Sequence, residues 1–149
     1  MPKLHRLFSR MRWLLSSSRI ADLGTNSHVG PDFSIHGEGF IHIGKNFSAG
    51  KSISLQVWPT ERYSDPALLI GSNVVMADYS YVSCAHHVSI GDGCLLGINA
   101  FITDNSHGAN IAAELDIAPN DREIVSKGPV CILSLIHISE PTRPRLISY

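Results

Sequence analysis

An aliphatic residue returns every six positions through the middle of this chain, and this period limits the possible folds more than any other feature. Seven of the ten steps in the series are six residues long, two are eight and one is fifteen. The members are Val29, Ile35, Ile43, Ala49, Leu55, Ile70, Met76, Val82, Ile90, Leu96 and Ile102. A period of six matches neither the turn of an α-helix, about 3.6 residues, nor the two-residue alternation of a strand.

Such a period predicts a solenoid whose flat faces are short strands joined by corners. We expect the aliphatic side chain to point into the interior, and the glycine that often follows it to let the backbone bend. Four places after the aliphatic residue the side chain is often small, as in Gly39, Ser80, Cys94, Ala100 and Ser106. A hexad is not stable alone, because its apolar side chain is buried by its neighbours. The prediction is an all-β solenoid domain over residues 23–132.

Composition removes several classes of function. The 149 residues suit one domain, and 12 basic against 13 acidic residues give no electrostatic basis for binding nucleic acid. No run of 18 apolar residues exists, so no transmembrane helix is expected. Three cysteines without a CxxC pair predict neither a disulfide framework nor a zinc site, and they favour a cytoplasmic location.

The first 22 residues form a basic segment that precedes the repeat. Leucine, phenylalanine and methionine recur there at helical spacing, among five basic residues and no acid within residues 1–20. The segment is predicted to be an amphipathic helix over 1–22. It either caps the open end of the solenoid or makes weak contact with an anionic membrane surface, and the sequence leaves both open.

The last 17 residues, 133–149, do not continue the repeat. They read LSLIHISEPTRPRLISY, and Leu133–Arg143 resembles the translation of a transposase sequencing adapter. The alternative is a strand followed by a tail broken by proline. On the adapter interpretation the natural protein sequence is cut off after about Ile132. Residues 133–149 are then excluded from functional reasoning.

Three segments of the repeat carry a resemblance to a known family. They read IGKNFSAGKSISL, IGSNVVMADYSYV and IGDGCLLGINAFITDNSHG. Over about Val29–Ile132 the chain resembles the hexapeptide-repeat acyltransferases, and within them the sugar and surface-polysaccharide O-acetyltransferases. The resemblance implies a left-handed parallel β-helix, a homotrimer, acetyl-CoA as co-substrate, a saccharide acceptor and no metal.

The same resemblance implies that His107 is the catalytic histidine. It closes the segment ITDNSHG, which precedes a long stretch without hexads and then the segment SKGPV. A neutral imidazole, with an ordinary pKa of about 6.5, can take the proton of a sugar hydroxyl as its oxygen attacks the thioester. It can then pass that proton to the departing thiolate. Direct transfer of this kind requires no nucleophilic cysteine.

Other candidate site residues surround this histidine or lie on other coils. Asp104 and Asn105 orient the imidazole or bind the acceptor, or they are ordinary turn residues. Asp78 either faces the acceptor groove or stands on an exposed corner. Cys84 occupies the place where the galactoside branch carries an acidic, acceptor-binding residue, so the acceptor stays open. The residues predicted to contact CoA are Ser126, Lys127 and Gly128.

The fifteen-residue step contains Trp58 and Tyr63. A loop of this size in a regular solenoid often serves binding. These rings stack on a sugar or on the adenine of the donor, or the loop packs on a neighbouring subunit. All three interpretations remain open at this point.

Two other functions compete with acetyl transfer. The first is a zinc enzyme like the γ-class carbonic anhydrases. That family places two ligands as H-x4-H, a spacing that no pair of histidines has here; five places after His107 stands Ala112. Adjacent His86 and His87 would point to opposite faces of a strand. The second is a non-catalytic β-helix scaffold. Because the resemblance places most of the donor site after SKGPV, the 149-residue chain itself is expected to show little activity.

Overall fold

The computed structural model describes residues 20–109 and 111–134. In these ranges the protein is all-β, with three short 3₁₀ turns and no α-helix. The turns are Glu38–Phe40, Ala112–Glu114 and Pro119–Asp121. The strands are β1 (Asp22–Leu23), β2 (His28–Val29), β3 (Ser34–His36), β4 (Ile41–Ile43), β5 (Ser48–Ala49), β6 (Ser54–Val57), β7 (Ala67–Ile70), β8 (Val75–Met76), β9 (Tyr81–Cys84), β10 (His87–Ile90), β11 (Leu95–Leu96), β12 (Phe101–Thr103), β13 (Asn105–His107), β14 (Ile124–Ser126) and β15 (Val130–Ile132).

Consecutive strands join different sheets, and strands from successive repeats pair in parallel. Sheet A has the order β1-β4-β7-β10-β15, sheet B the order β2-β5-β8-β11, and sheet C the order β3-β6-β9-β12. The register matches the sequence period, since Ile43 lies opposite Ile70, and Leu55 opposite Val82. The predicted all-β class is confirmed, and these parallel sheets are compatible with a β-helix.

The core consists of the side chains that the period singles out. Eight of the eleven series members are buried, and the other three, near the two ends of the series, pack against them. The fourth place after the series residue also points inward, and it is larger than the sequence suggested. Phe47, Ile53 and Val74 are completely buried there, beside the small Ser80 and Cys94. Residues of different size therefore fill the interior at this position.

Every connection from sheet A to sheet B, and from sheet B to sheet C, is a corner of four residues. The third residue of each corner has a left-handed backbone, with φ between 54° and 71°. These residues are Asn26, Asp32, Asn46, Ser52, Asn73, Tyr79, Gly93 and Asn99. Asparagine, aspartate and glycine tolerate this conformation best, which explains their recurrence.

The glycine after the aliphatic residue has a different role from the one expected. At Gly44, a Cβ atom would lie 2.6 Å from the carbonyl carbon of Gly71 on the next coil. Since Gly44 lacks a positive φ, the residue is needed for close approach of the coils, not for the bend. The bend falls two places later, at Asn46.

Tyr79 is the bulky exception among the left-handed corner residues, with φ at 63°. We expect Tyr79→Asn to raise the free energy of unfolding by about 1 kcal/mol, because asparagine relieves this strain. Urea denaturation measures the change. The reciprocal control is Asn99→Tyr at the same position of the next coil, which should lower stability by a similar amount. Equal stability of both variants and the wild type would contradict the turn analysis.

All irregular steps of the series fall at one vertex. The connections from sheet C to sheet A, which we call the C–A corner, are residues 37–40, 58–66, 85–86 and 104–129. The two eight-residue steps, the fifteen-residue step and the stretch after Ile102 all belong to it. The other two vertices are uniform, so insertions accumulate along a single edge of the molecule.

The two ends of the described chain bear on the predicted boundaries. Residues 1–19, which hold most of the predicted helix, lie outside the described residues. That helix does not extend to residue 22 as expected, because Asp22 pairs with His42 in sheet A.

At the other end, Leu133 stands where earlier coils carry glycine, and the Ser134 hydroxyl donates to the carbonyl of Asp92 at 2.8 Å. Residues 135–149 also lie outside the described residues.

Candidate active site

The C–A corner holds six of the seven residues that the sequence analysis assigned to the site. Loops that leave a rigid scaffold are where binding and catalytic groups concentrate. Here the scaffold is the stack of parallel strands, and the loops are the irregular connections of that one edge.

The side chain of Asp104 is buried in this corner and accepts hydrogen bonds on both carboxylate oxygens. Its Oδ1 accepts hydrogen bonds from the backbone N–H of Ala85 at 2.8 Å and from the Asn105 amide at 2.9 Å. Its Oδ2 accepts from the backbone N–H groups of His86 and His87, at 2.8 and 2.7 Å. One carboxylate thus satisfies three consecutive backbone donors of the preceding coil.

Cys84 lies beneath this carboxylate. Its Sγ is 3.9 Å from Oδ2 of Asp104 and 3.3 Å from the carbonyl oxygen of Ala67. Burial, followed by the nearby negative charge of Asp104, raises the pKa of the Cys84 thiol to about 12. The thiol therefore stays protonated at neutral pH and does not supply a nucleophile.

After Asp104 the chain leaves the parallel sheets and forms an antiparallel pair. In this pair β13 lies against β14, with Asn105 opposite Ser126 and His107 opposite Ile124. The sequence predicted a break in the repeat here but not the pairing. His107 lies at the end of β13 with its side chain exposed, and the chain turns at Gly108, where φ is 82°.

A cleft of about 370 Å³ opens between the start of β13 and the segment that follows β14. Its lining residues are Thr103, Asp104, Asn105, Ser106, Lys127, Gly128, Pro129 and Val130. It brings together predicted acceptor-binding residues on one side and predicted CoA-binding residues on the other. Ser126 borders it, with its hydroxyl bonded to the backbone of Gly128. A larger cavity of about 440 Å³, on the outer face of sheet A, holds none of the predicted site residues.

Asp78 does not lie with these residues. It belongs to the corner between sheets B and C, where its Oδ1 accepts a hydrogen bond from the backbone N–H of Lys51 at 2.8 Å. Within one protomer it therefore stands at a different vertex from the cleft.

The loop 58–66 carries two aromatic rings, and each packs against a histidine ring from another coil. The ring centroids of Trp58 and His36 are 4.3 Å apart, and those of Tyr63 and His86 are 4.9 Å apart. The Tyr63 hydroxyl donates to the carbonyl of Ser126 at 3.3 Å. Sequence reasoning missed both histidines as partners. In the sequence the two histidines have one feature in common, because each lies within an eight-residue step of the aliphatic series.

Neither a metal-binding cluster nor a membrane-spanning helix is found in the described residues. In residues 20–109 and 111–134, no three histidine, cysteine or carboxylate side chains lie close enough to hold a metal ion together. Over the same ranges, no helix has the length and apolar character needed to span a bilayer.

Comparison with known proteins gives one similarity. The chain is 28% identical over 86 residues to a putative lipopolysaccharide biosynthesis O-acetyl transferase, WbbJ, from Escherichia coli (strain K12). The similarity covers 58% of this chain and 41% of that relative, so the chain spans less than half of the relative's length. No protein-family profile and no solved structure matches the chain.

Proposed function

We propose that the protein is an acetyl-CoA-dependent O-acetyltransferase that acts on a hydroxyl group of a sugar or surface-polysaccharide precursor. The similarity to an O-acetyltransferase supports a general acetyltransferase function. The observation that carries the finer proposal is the cleft, which joins Asp104 and Asn105 to Lys127 and Gly128 at the vertex that bears His107.

In the proposed mechanism His107 acts as the general base. Its imidazole takes the proton of the acceptor hydroxyl while that oxygen attacks the acetyl carbon, and the thiolate leaves with the proton from the imidazole. Holding both substrates in one cleft supplies much of the remaining acceleration. Backbone N–H groups near the corner would stabilise the negative oxygen of the tetrahedral intermediate.

The two walls of the cleft suit different substrates. The exposed ammonium group of Lys127 suits the phosphates of the donor. Beside it, Gly128 has φ of 131° and open space where a side chain would lie, so a ligand can approach its backbone. On the opposite wall the side-chain nitrogen of Asn105 already donates to Asp104 and Ser83, so its Oδ1 is the atom proposed to accept a hydrogen bond from a sugar hydroxyl. Asp104 acts as a positioning residue, since its oxygens bind the preceding corner.

The proposed fold is a left-handed parallel β-helix that assembles as a homotrimer. An exposed apolar patch around the corner between sheets B and C supports the assembly. Leu95, Ile98 and Phe101 are each about two-thirds exposed there, and Phe101 stacks on Tyr81. Contiguous exposed apolar patches mark interaction surfaces. Asp78 adjoins this patch, so a trimer would place it near a neighbouring copy, where we propose that it contributes to acceptor binding.

The setting proposed for this reaction is the cytoplasm, where acetyl-CoA is available. Nucleic acid is not a proposed partner. We propose separately that the basic segment 1–22 makes weak contact with a membrane surface; residues 1–19 of it lie outside the described residues.

An acetyl-transfer assay tests the proposed function. The full gene product is incubated with acetyl-CoA and a panel of saccharides, and both free CoA thiol and acetylated saccharide are measured. We expect thiol release that depends on a saccharide, with an alkali-labile acetyl ester on the product. A non-catalytic scaffold would release no CoA with any acceptor, and that result would overturn the proposal.

A further inference from the structure

The aromatic loop 58–66 is held in a fixed shape. The backbone N–H of Thr60 donates to the carbonyl of Tyr63 at 3.0 Å, and the N–H of Tyr63 returns a bond to the Thr60 hydroxyl at 3.0 Å. Pro59 and the buried Pro66 stiffen the two ends of the loop. Because the loop is already ordered, it loses little conformational entropy when a ligand binds to its rings.

Tyr63 is tied to the cleft through two separate contacts. Its hydroxyl donates to Ser126, which lies opposite Asn105 in the β13–β14 pair. Its ring stacks on His86, whose backbone N–H is bound by the Asp104 carboxylate. The first contact ends on Ser126, at the border of the cleft, and the second on His86, which Asp104 of the cleft binds, so the Tyr63 ring lies beside the cleft.

Trp58 extends this surface away from the cleft. It is half-buried, and its ring packs at a tilt of 36° against the exposed His36, which belongs to an earlier coil. Coils stack at the spacing of paired strands, about 4.8 Å. The residues His36, Trp58, Tyr63 and His86 thus follow one edge of the molecule over three coils. We call this set the aromatic row.

The chemistry of the aromatic row suits a saccharide longer than one ring. An aromatic face packs against the apolar C–H face of a pyranose, while imidazole nitrogens hydrogen-bond its hydroxyl groups. A single sugar ring bound in the cleft would make no contact with the aromatic row. The row meets the cleft at Ser126, through the Tyr63 hydroxyl, and at Asp104, through the backbone of His86.

Resting on the proposed function, we infer that the aromatic row is an acceptor subsite that binds the sugar rings next to the acetylated one. The acceptor is then an oligosaccharide or a growing polysaccharide chain. Tyr63 and Trp58 determine acceptor length in this arrangement, while His107 does the chemistry.

The test compares acceptors of different length made from one sugar. N-acetylglucosamine and its tetrasaccharide are assayed with acetyl-CoA as donor, and glucose with its tetrasaccharide serves as a second series. We expect wild type to show a kcat/KM at least about tenfold higher for a tetrasaccharide than for its monosaccharide. Trp58→Ala and Tyr63→Ala should each reduce this ratio several-fold. Glu61→Ala, an exposed residue of the same loop, should leave the ratio unchanged.

A binding measurement separates this inference from the proposed function. In a Trp13→Phe background Trp58 is the single tryptophan, so its fluorescence reports on the aromatic row. Fluorescence change with a tetrasaccharide, but without acetyl transfer, would support the subsite and overturn the transferase. Acetyl transfer with no length preference would overturn the subsite and leave the transferase. A fluorescence change with CoA but with no saccharide would assign the row to the donor and also overturn the inference.

Discussion

Replacing Asp104 with alanine should lower the free energy of unfolding by about 3 kcal/mol or more. The change leaves the backbone N–H groups of Ala85, His86 and His87 without their acceptor in the C–A corner. Each buried donor that loses its partner costs about 1 to 3 kcal/mol. Urea denaturation followed by circular dichroism measures the loss. Acetyl transfer should be lost as well, because the start of β13 is no longer held.

Two further variants keep this prediction testable if Asp104→Ala does not fold. Asp104→Asn retains one carbonyl oxygen, so it should fold with a smaller loss, about 1 to 2 kcal/mol. Asp92 is the matched control: it is an exposed carboxylate that accepts a corner N–H, that of Ser72, at 2.6 Å. Asp92→Ala should cost at most about 1 kcal/mol. Equal costs at Asp92 and Asp104 would contradict the anchoring role.

Replacing His107 with alanine should reduce kcat by about 10² to 10⁴-fold, the usual contribution of a general base. Stability should change little, because the side chain is exposed at the end of β13. The rate is measured as acetylated saccharide formed from acetyl-CoA, and the fold is checked by urea denaturation of the same preparation.

His28→Ala is the control for this second prediction. His28 is an exposed histidine on sheet B, away from the C–A corner, and its removal should leave both rate and stability unchanged. If His107→Ala retained the wild-type rate, the proposed general base would be wrong even if the protein proved to be a transferase.

The all-β class and the core follow from the sequence because they depend on a short period. Each aliphatic residue of the series repeats the same environment, so one rule identifies Leu55, Ile70 and Val82 alike as core. The size of the residue at the fourth inward position does not follow from the period, which treats the fully buried Phe47 and the small Ser80 alike. Packing between coils decides that size.

The candidate site was less accessible to sequence reasoning. The positions of Asp104 and Asn105 relative to Lys127 depend on the antiparallel β13–β14 pair, which brings together residues 17 to 21 positions apart. No local period reports such a pairing. The role of Asp104 also could not be predicted from the sequence. Its partners are three backbone N–H groups, which are present whatever the side chains of those residues are.

One signal for the site was present in the sequence. Counting from Ile35, every third step of the series is irregular, which places each interruption at the same vertex of a three-sided coil. His36, Trp58 and His86 all fall in or beside these interruptions. Asp78 falls in a regular step, which agrees with its position at another vertex.

The most direct test is one acetyl-transfer assay run on the full gene product as wild type, His107→Ala and Asp104→Ala, each with its unfolding curve. His107→Ala should fold like the wild type but acetylate the saccharide at least about a hundredfold more slowly. Asp104→Ala should lose both stability and rate. A fully active His107→Ala protein, or a wild-type full gene product that transfers acetyl groups to no saccharide, would contradict the proposed function.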